Sequence, residues 1–190
     1  VMAGGVFSGV LGPQLVTLTM NLWAPYLFVA SYLAQAAVAL LAMAVLSGVD
    51  LPRPQRVDLA RGRPLPEIVR QPRFVVAALC GVVTYTLMNL VMTSTPLAMV
   101  GCGFAVADAS GVTQAHMIAM FGPAFFTGHL IARFGAERIV TVGLVILAGA
   151  GAVALSGVEL DHFYLALILL GLGWNFGFIG STAMLTAQHT

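Results

Sequence analysis

The chain has 190 residues, of which 59% are apolar and only 8% charged, with a mean hydropathy of +0.98 and a net charge of +1. Soluble domains carry about 25% charged residues, so a surface facing water, a disordered segment and a soluble enzyme are all excluded. A net charge near zero implies no bulk attraction to nucleic acid.

Six apolar stretches are long enough to cross a bilayer, which takes about 20 residues. They run over Met2–Leu22, Leu27–Leu46, Phe74–Val100, Val112–Ala132, Ile139–Ser156 and His162–Ala187, and none contains Lys, Arg, Asp or Glu. A membrane barrel shows short alternating segments instead, so the fold class is all-α: a polytopic membrane protein of six transmembrane helices.

The first stretch is rich in glycine and contains Gly12-Pro13. Its Gln14, Thr17 and Asn21 fall on one helical face. Trp23-Ala24-Pro25 ends it, and Pro25 is suited to open the next helix because a missing N–H costs nothing there. Ser47 to Arg73 is the one long polar segment, interrupted by Pro52, Pro54, Pro64, Pro66 and Pro72. The third stretch places Tyr85, Asn89, Thr93 and Pro96 on one face, with Thr84 and Thr95 nearby. The fourth carries Gln114 and His116 toward one end and Thr127 and His129 toward the other. Gly122-Pro123 and Pro96 should bend their helices, with neighbours or water satisfying the freed carbonyls. The sixth holds Trp174, Asn175, Phe178, Ser181 and Thr182. Cys80 and Cys102 have no metal or disulfide spacing and are expected to be buried thiols.

All eight basic residues are arginines. Arg53, Arg56, Arg61, Arg63, Arg70 and Arg73 lie in the long polar segment, and Arg133 and Arg138 in the turn after the fourth stretch. Two spans separate these regions, so both must face one side. The remaining connections carry only Asp108, Glu159 and Asp161. Basic residues concentrate in cytoplasmic loops, so the linker and the Arg133–Arg138 turn are expected inside, with Asp108 and Glu159 outside. The chain starts at Val1 and ends at Thr190 within an apolar run, so a piece of a longer membrane protein is expected.

Gly128-His-Leu-Ile-Ala-Arg133-Phe-Gly135-Ala-Glu137-Arg138 resembles the cytoplasmic loop signature of the major facilitator superfamily. Gly128, Arg133 and Gly135 match in register; Ala132 stands where that signature has Asp, and Ala136-Glu137 where it has a basic pair. Gly12-Pro13 is similar to the Gly-Pro of that family's fifth helix, although Val16-Thr17 follow in place of Gly-Gly. Two spans, a basic linker and four spans match helices five to ten of a twelve-helix facilitator. The resemblance implies that residues 1–46 are the last two helices of the N-terminal half, 47–73 the cytoplasmic linker, and 74–190 the first four helices of the C-terminal half. It further implies a secondary transporter of a small organic solute in the bacterial inner membrane. Such proteins bind near the membrane midplane between halves and rock around the site.

On that reading the partners are a small-molecule substrate, the lipid bilayer and a candidate coupling proton, with no nucleic acid, cofactor or metal. The candidate substrate contacts are Tyr85, Asn89, Thr93, Gln14, Asn21, Trp174 and Asn175. The alternative for each is an interhelical hydrogen bond, worth about 0.6 kcal/mol on average. Gly128, Arg133, Gly135, Glu137 and Arg138 form the candidate conformational loop, with Glu137 as the acid paired to Arg133; a plain positive-inside anchor is the alternative for the arginine. His116 is a candidate proton carrier, or else a residue at the membrane interface. His162 is expected to be exposed. Gly5/Gly9 and Gly173/Gly177 have the spacing of close helix contacts, and Gly149, Gly151 and Ala152 form another smooth patch. A membrane-embedded enzyme would need paired carboxylates, a metal cluster or a nucleophile with its base, and no span offers a carboxylate. A non-catalytic six-helix interaction protein is the other alternative.

Overall fold

The computed structural model describes residues 2–49 and 65–186. Among these the chain is all helical: α1 (Met2–Thr19), α2 (Val29–Ser47), α3 (Leu65–Val69), α4 (Pro72–Gly101), α5 (Val106–Phe121), α6 (Ala124–Phe134), α7 (Ala136–Ser156) and α8 (Leu160–Thr186). Five segments are long and apolar enough to span a membrane: α2, α4, α5 with α6, α7 and α8. The remaining predicted span is α1, shorter at 18 residues and containing Pro13. Arg53, Arg56, Arg61 and Arg63 lie outside the described residues.

Boundaries moved where backbone chemistry outweighs hydropathy. Pro25 opens no helix; it lies in the turn after α1, and α2 begins at Val29 behind Phe28, whose φ is +66°. Pro72 does open α4. The predicted fourth span is two helices, broken at Gly122-Pro123. Pro96, by contrast, stays inside α4. Asp108 sits in the first turn of α5, where its Oδ2 accepts the Ala105 N–H at 3.1 Å, so the helix starts six residues earlier than apolarity alone suggests. Gly135 carries φ +87° between α6 and α7, which keeps that turn to a single residue.

The chain forms two compact units, 1–13 with 65–190 and 14–64. The boundary falls at Pro13, inside α1, and not between the second and third spans. The larger unit includes the start of α1 because small residues let it approach α5. A Cβ on Gly5 would come 2.6 Å from Phe121, and one on Gly9 2.7 Å from Met117. In the smaller unit, the Thr19 and Ser31 hydroxyls meet at 2.8 Å and tie the end of α1 to α2.

Helix α8 is the centre of the larger unit. Of its most apolar stretch 44% is buried, against 6% for α2. Its glycines explain this. Gly171 faces the backbone of α5 at His116 and Met120, Gly173 faces the backbone of α7 at Gly143, and Gly177 faces the Thr84 side chain of α4. Without an oil–water driving force between helices in lipid, such backbone approach is what holds them together. Met99, Ala109, Val112, Leu147, Ala150, Leu167 and Leu170 fill the core around it. The outer faces stay apolar: Leu155 is 90% exposed and Leu97 77%. Such a surface suits hydrocarbon and not water. This chain is an integral membrane protein.

Candidate functional site

The predicted face of α4 is on the surface of the larger unit. Tyr85, Asn89 and Thr93 are all exposed, while the neighbouring Thr84, Met88 and Thr95 are buried. Asn89 Nδ2 donates to the Tyr85 carbonyl at 3.4 Å, and the Thr93 hydroxyl donates to the Asn89 carbonyl at 2.7 Å. Both bonds stay within the helix, and the Asn89 Oδ1 and the Tyr85 hydroxyl make no hydrogen bond across helices among the described residues. Tyr85 also reaches α8: its ring centroid is 5.9 Å from that of Phe178.

That contact joins a run of four rings. Phe178 stacks on Trp174 at 4.9 Å with planes 10° apart, one helical turn away, and Phe121 meets Trp174 edge-on at 6.3 Å. Phe121, Ala124, Trp174, Phe178, Ile179 and Thr182 border a cleft of about 390 Å³. Spacing four apart along α8 was the signal available for Trp174 and Phe178. Nothing in the sequence places Phe121 beside them, because it comes from the helix broken at Gly122-Pro123.

Asn175 borders the same cleft but is fully buried, and its amide is spent within the bundle. Nδ2 donates to the Met120 carbonyl at 2.7 Å. The Thr127 hydroxyl lies 2.6 Å from Asn175 Oδ1 and 2.8 Å from the Pro123 carbonyl. Both bonds join α8 to the break between α5 and α6. Here the interhelical reading accounts for the residue, and Thr127 is the partner that spacing could not identify. Asn21 also leaves its predicted face: α1 ends at Thr19, so Asn21 lies in the following turn. Gln14 and Asn21 are exposed in the smaller unit.

His116 is fully buried in the α5–α8 seam. Its Nδ1 lies 2.8 Å from the Leu167 carbonyl, which can only accept, so Nδ1 carries the proton. Nε2 is buried with no partner among the described residues. The start of α8 also differs from expectation: His162 is half-buried, 3.9 Å from the exposed Glu159 carboxylate. Cys102 is exposed and Cys80 half-buried, so the thiols are not both enclosed.

The candidate loop residues gather at one end of the larger unit. Arg73, Gly135, Glu137 and Arg138 border a cavity of about 490 Å³, which puts the end of the linker beside the Arg133–Arg138 turn. Asp108 and Glu159 belong to the opposite end, where Phe104 and Phe163 meet edge-on at 5.8 Å. The Arg133 guanidinium lies 5.3 Å from the Phe134 ring and forms no ion pair with Glu137. The turn is held by Gly135 and helix ends, not by the expected acid–base pair. Among the described residues no group of three His, Cys, Asp or Glu side chains is placed to hold a metal.

The sequence profile of the Major Facilitator Superfamily matches residues 1–190. The chain is 48% identical over its whole length to a protein of Brucella anthropi named riboflavin transporter RfnT, covering 48% of that relative. It is 34% identical to the uncharacterized MFS-type transporter YddS of Bacillus subtilis, over 58% of this chain and 26% of the relative. A second such transporter of Bacillus subtilis, YdeG, is 37% identical, again over 58% of this chain and 26% of the relative. The chain thus spans about half the length, or less, of the curated relatives it matches. No solved structure matches it.

Proposed function

Since this chain belongs to the major facilitator superfamily, we propose that it serves in a secondary active transporter that moves a small organic solute across a bacterial inner membrane by alternating access. Riboflavin is the first solute to test. The observation that carries this is identity of 48% along the full chain to a protein named as a riboflavin transporter. The site agrees in character: amides, hydroxyls and aromatic rings with no charge suit a neutral, weakly polar molecule. We assign residues 1–46 to the end of the N-terminal half, 47–73 to the linker and 74–190 to the start of the C-terminal half.

The test is uptake of riboflavin by the complete protein in proteoliposomes, with and without an imposed proton gradient. Riboflavin that fails to enter under either condition removes it as substrate. Asn89→Ala should lower apparent affinity about 3- to 10-fold, the loss of one neutral hydrogen bond. Insertion should be unaffected, because the span becomes more apolar. Uptake by Asn89→Ala at the wild-type concentration dependence would take Asn89 out of the site.

Orientation gives a second expected result. With the arginine-bearing turn cytoplasmic, an impermeant maleimide applied to intact cells should modify the exposed Cys102 at the far end of α4 and spare a cysteine at position 136. Labelling of position 136 from outside would reverse the topology.

A further inference from the structure

We propose that the cleft bordered by Phe121, Trp174 and Phe178 is a stacking site for the flat, fused aromatic ring system of a neutral solute. The proposal rests on the transporter reading and deepens it: it names the part of the solute that is recognised and the side chains that recognise it.

Trp174 and Phe178 stack with their planes 10° apart and their centroids 4.9 Å apart, so together they form one aromatic stack on α8. Tyr85 extends it from α4, and Phe121 stands edge-on at the other end. Offset stacking and edge contacts are both favoured between aromatic rings, so a stack at the side of a cleft can take a further flat ring on its uncovered ring area. Trp174, Phe178 and Phe121 are each half-buried, which leaves ring area uncovered. The cleft, at about 390 Å³, lies within the range of about 300–1,000 Å³ typical of small-molecule sites.

The few polar groups fit the edge of a heterocycle. The Trp174 indole N–H is buried and meets no acceptor among the described residues. A buried donor without a partner is uncommon, and a ring carbonyl or ring nitrogen would supply one. Thr182 is exposed at the same cleft and donates its proton to the Phe178 carbonyl at 2.8 Å, so its lone pairs remain for a ring N–H. Among the described residues no Asp, Glu, Lys or Arg borders the cleft, which argues against a charged solute. A lipid chain would use the apolar walls but neither the parallel rings nor the donor.

The test uses the complete protein in nanodiscs, with lumichrome, the bare tricyclic ring of riboflavin, as the probe and its fluorescence quenching as the readout. Ribitol, the polyol portion, and an acyl-chain lipid serve as competitors. The wild type should quench lumichrome, and neither competitor should displace it. Trp174→Leu and Phe178→Leu should each weaken binding about tenfold or more, the scale of one lost stacking contact. Trp174→Phe keeps a ring and loses the N–H, and should weaken binding a few-fold. This variant also guards against misfolding of the leucine variants. Failure of the wild type to bind lumichrome, equal binding by all three variants, or displacement by the lipid would each overturn the proposal. Uptake of an aliphatic solute without lumichrome binding would leave the transporter reading standing and remove the stacking site. Lumichrome binding that depends on Trp174, with no solute transported, would do the reverse.

Discussion

Gly143→Val is expected to leave little correctly folded protein, whereas Gly149→Val, on the same helix, should be tolerated. A Cβ on Gly143 would fall on the Gly177 amide nitrogen and come 2.9 Å from the Gly173 carbonyl oxygen. Both are backbone atoms, so no rotamer change relieves the clash, and α7 must move away from α8. Overpacking a tight contact costs about 1–3 kcal/mol. The upper end is expected here, because separation loosens the whole α7–α8 seam, including the buried Val140, Leu147 and Ala150. Lipid offers as good an apolar surface as the partner helix, so nothing hydrophobic restores the lost packing. Gly149 has open space around the same added atom. Thermal unfolding of the two variants in detergent gives the comparison. Equal melting temperatures for Gly143→Val and wild type would mean that α7 and α8 do not meet at this glycine.

That seam shows what could be read from sequence and what could not. The Gly173/Gly177 spacing announced a close helix contact, but its partner, Gly143, lies 30 residues earlier on α7 with no spacing signal of its own. In a soluble helix the buried stripe is apolar and the outer face polar. Here both faces are apolar, so hydropathy locates the spans and says little about which face turns inward. Breaks are the more legible features, since proline and glycine act on the backbone whatever the solvent: at Gly122-Pro123, where a bend is expected, the fourth span divides into two helices. The place of Pro13 at the boundary of two packed units has no local signal, because it depends on which helices pack beyond it.

The polar residues make the same point. Asn89 and Asn175 look alike locally, each a lone amide in an apolar helix with an aromatic residue close before it. One is exposed; the other is sealed between three helices. The difference lies in the neighbours of α8, which depend on contacts more than 40 residues apart, at Thr127 and Met120. His116 reads as an interfacial residue from its distance to the span's predicted end. Because α5 begins at Val106 and not at Val112, it lies six residues further into its helix than that reckoning gives.

Asn175→Leu should destabilise the protein by about 1–2 kcal/mol, more than the roughly 0.6 kcal/mol average for an interhelical hydrogen bond in a membrane protein. The reason is the carbonyl it serves. Pro123 has no N–H and its ring pushes against the preceding turn, so α5 stops at Phe121 and α6 starts at Ala124. The Met120 carbonyl is thereby left without a helical donor among the described residues, and Asn175 Nδ2 supplies one at 2.7 Å. The amide cannot turn over to avoid the role, since Oδ1 would then face that carbonyl. With leucine in place, a buried acceptor has no partner, a loss of about 1–3 kcal/mol in general; the Thr127 hydroxyl keeps the Pro123 carbonyl as its alternative acceptor. The decisive measurement is the same substitution in a Pro123→Ala background. There the helix can close over the break, the Ala124 N–H can reach Met120, and Asn175→Leu should become markedly cheaper. Non-additivity of at least about 0.5 kcal/mol is the expected sign of coupling between such neighbours. If Asn175→Leu destabilises both backgrounds equally, the amide is not there to repair the proline break, and its place at the side of the aromatic cleft becomes the better explanation of why an asparagine sits at that position.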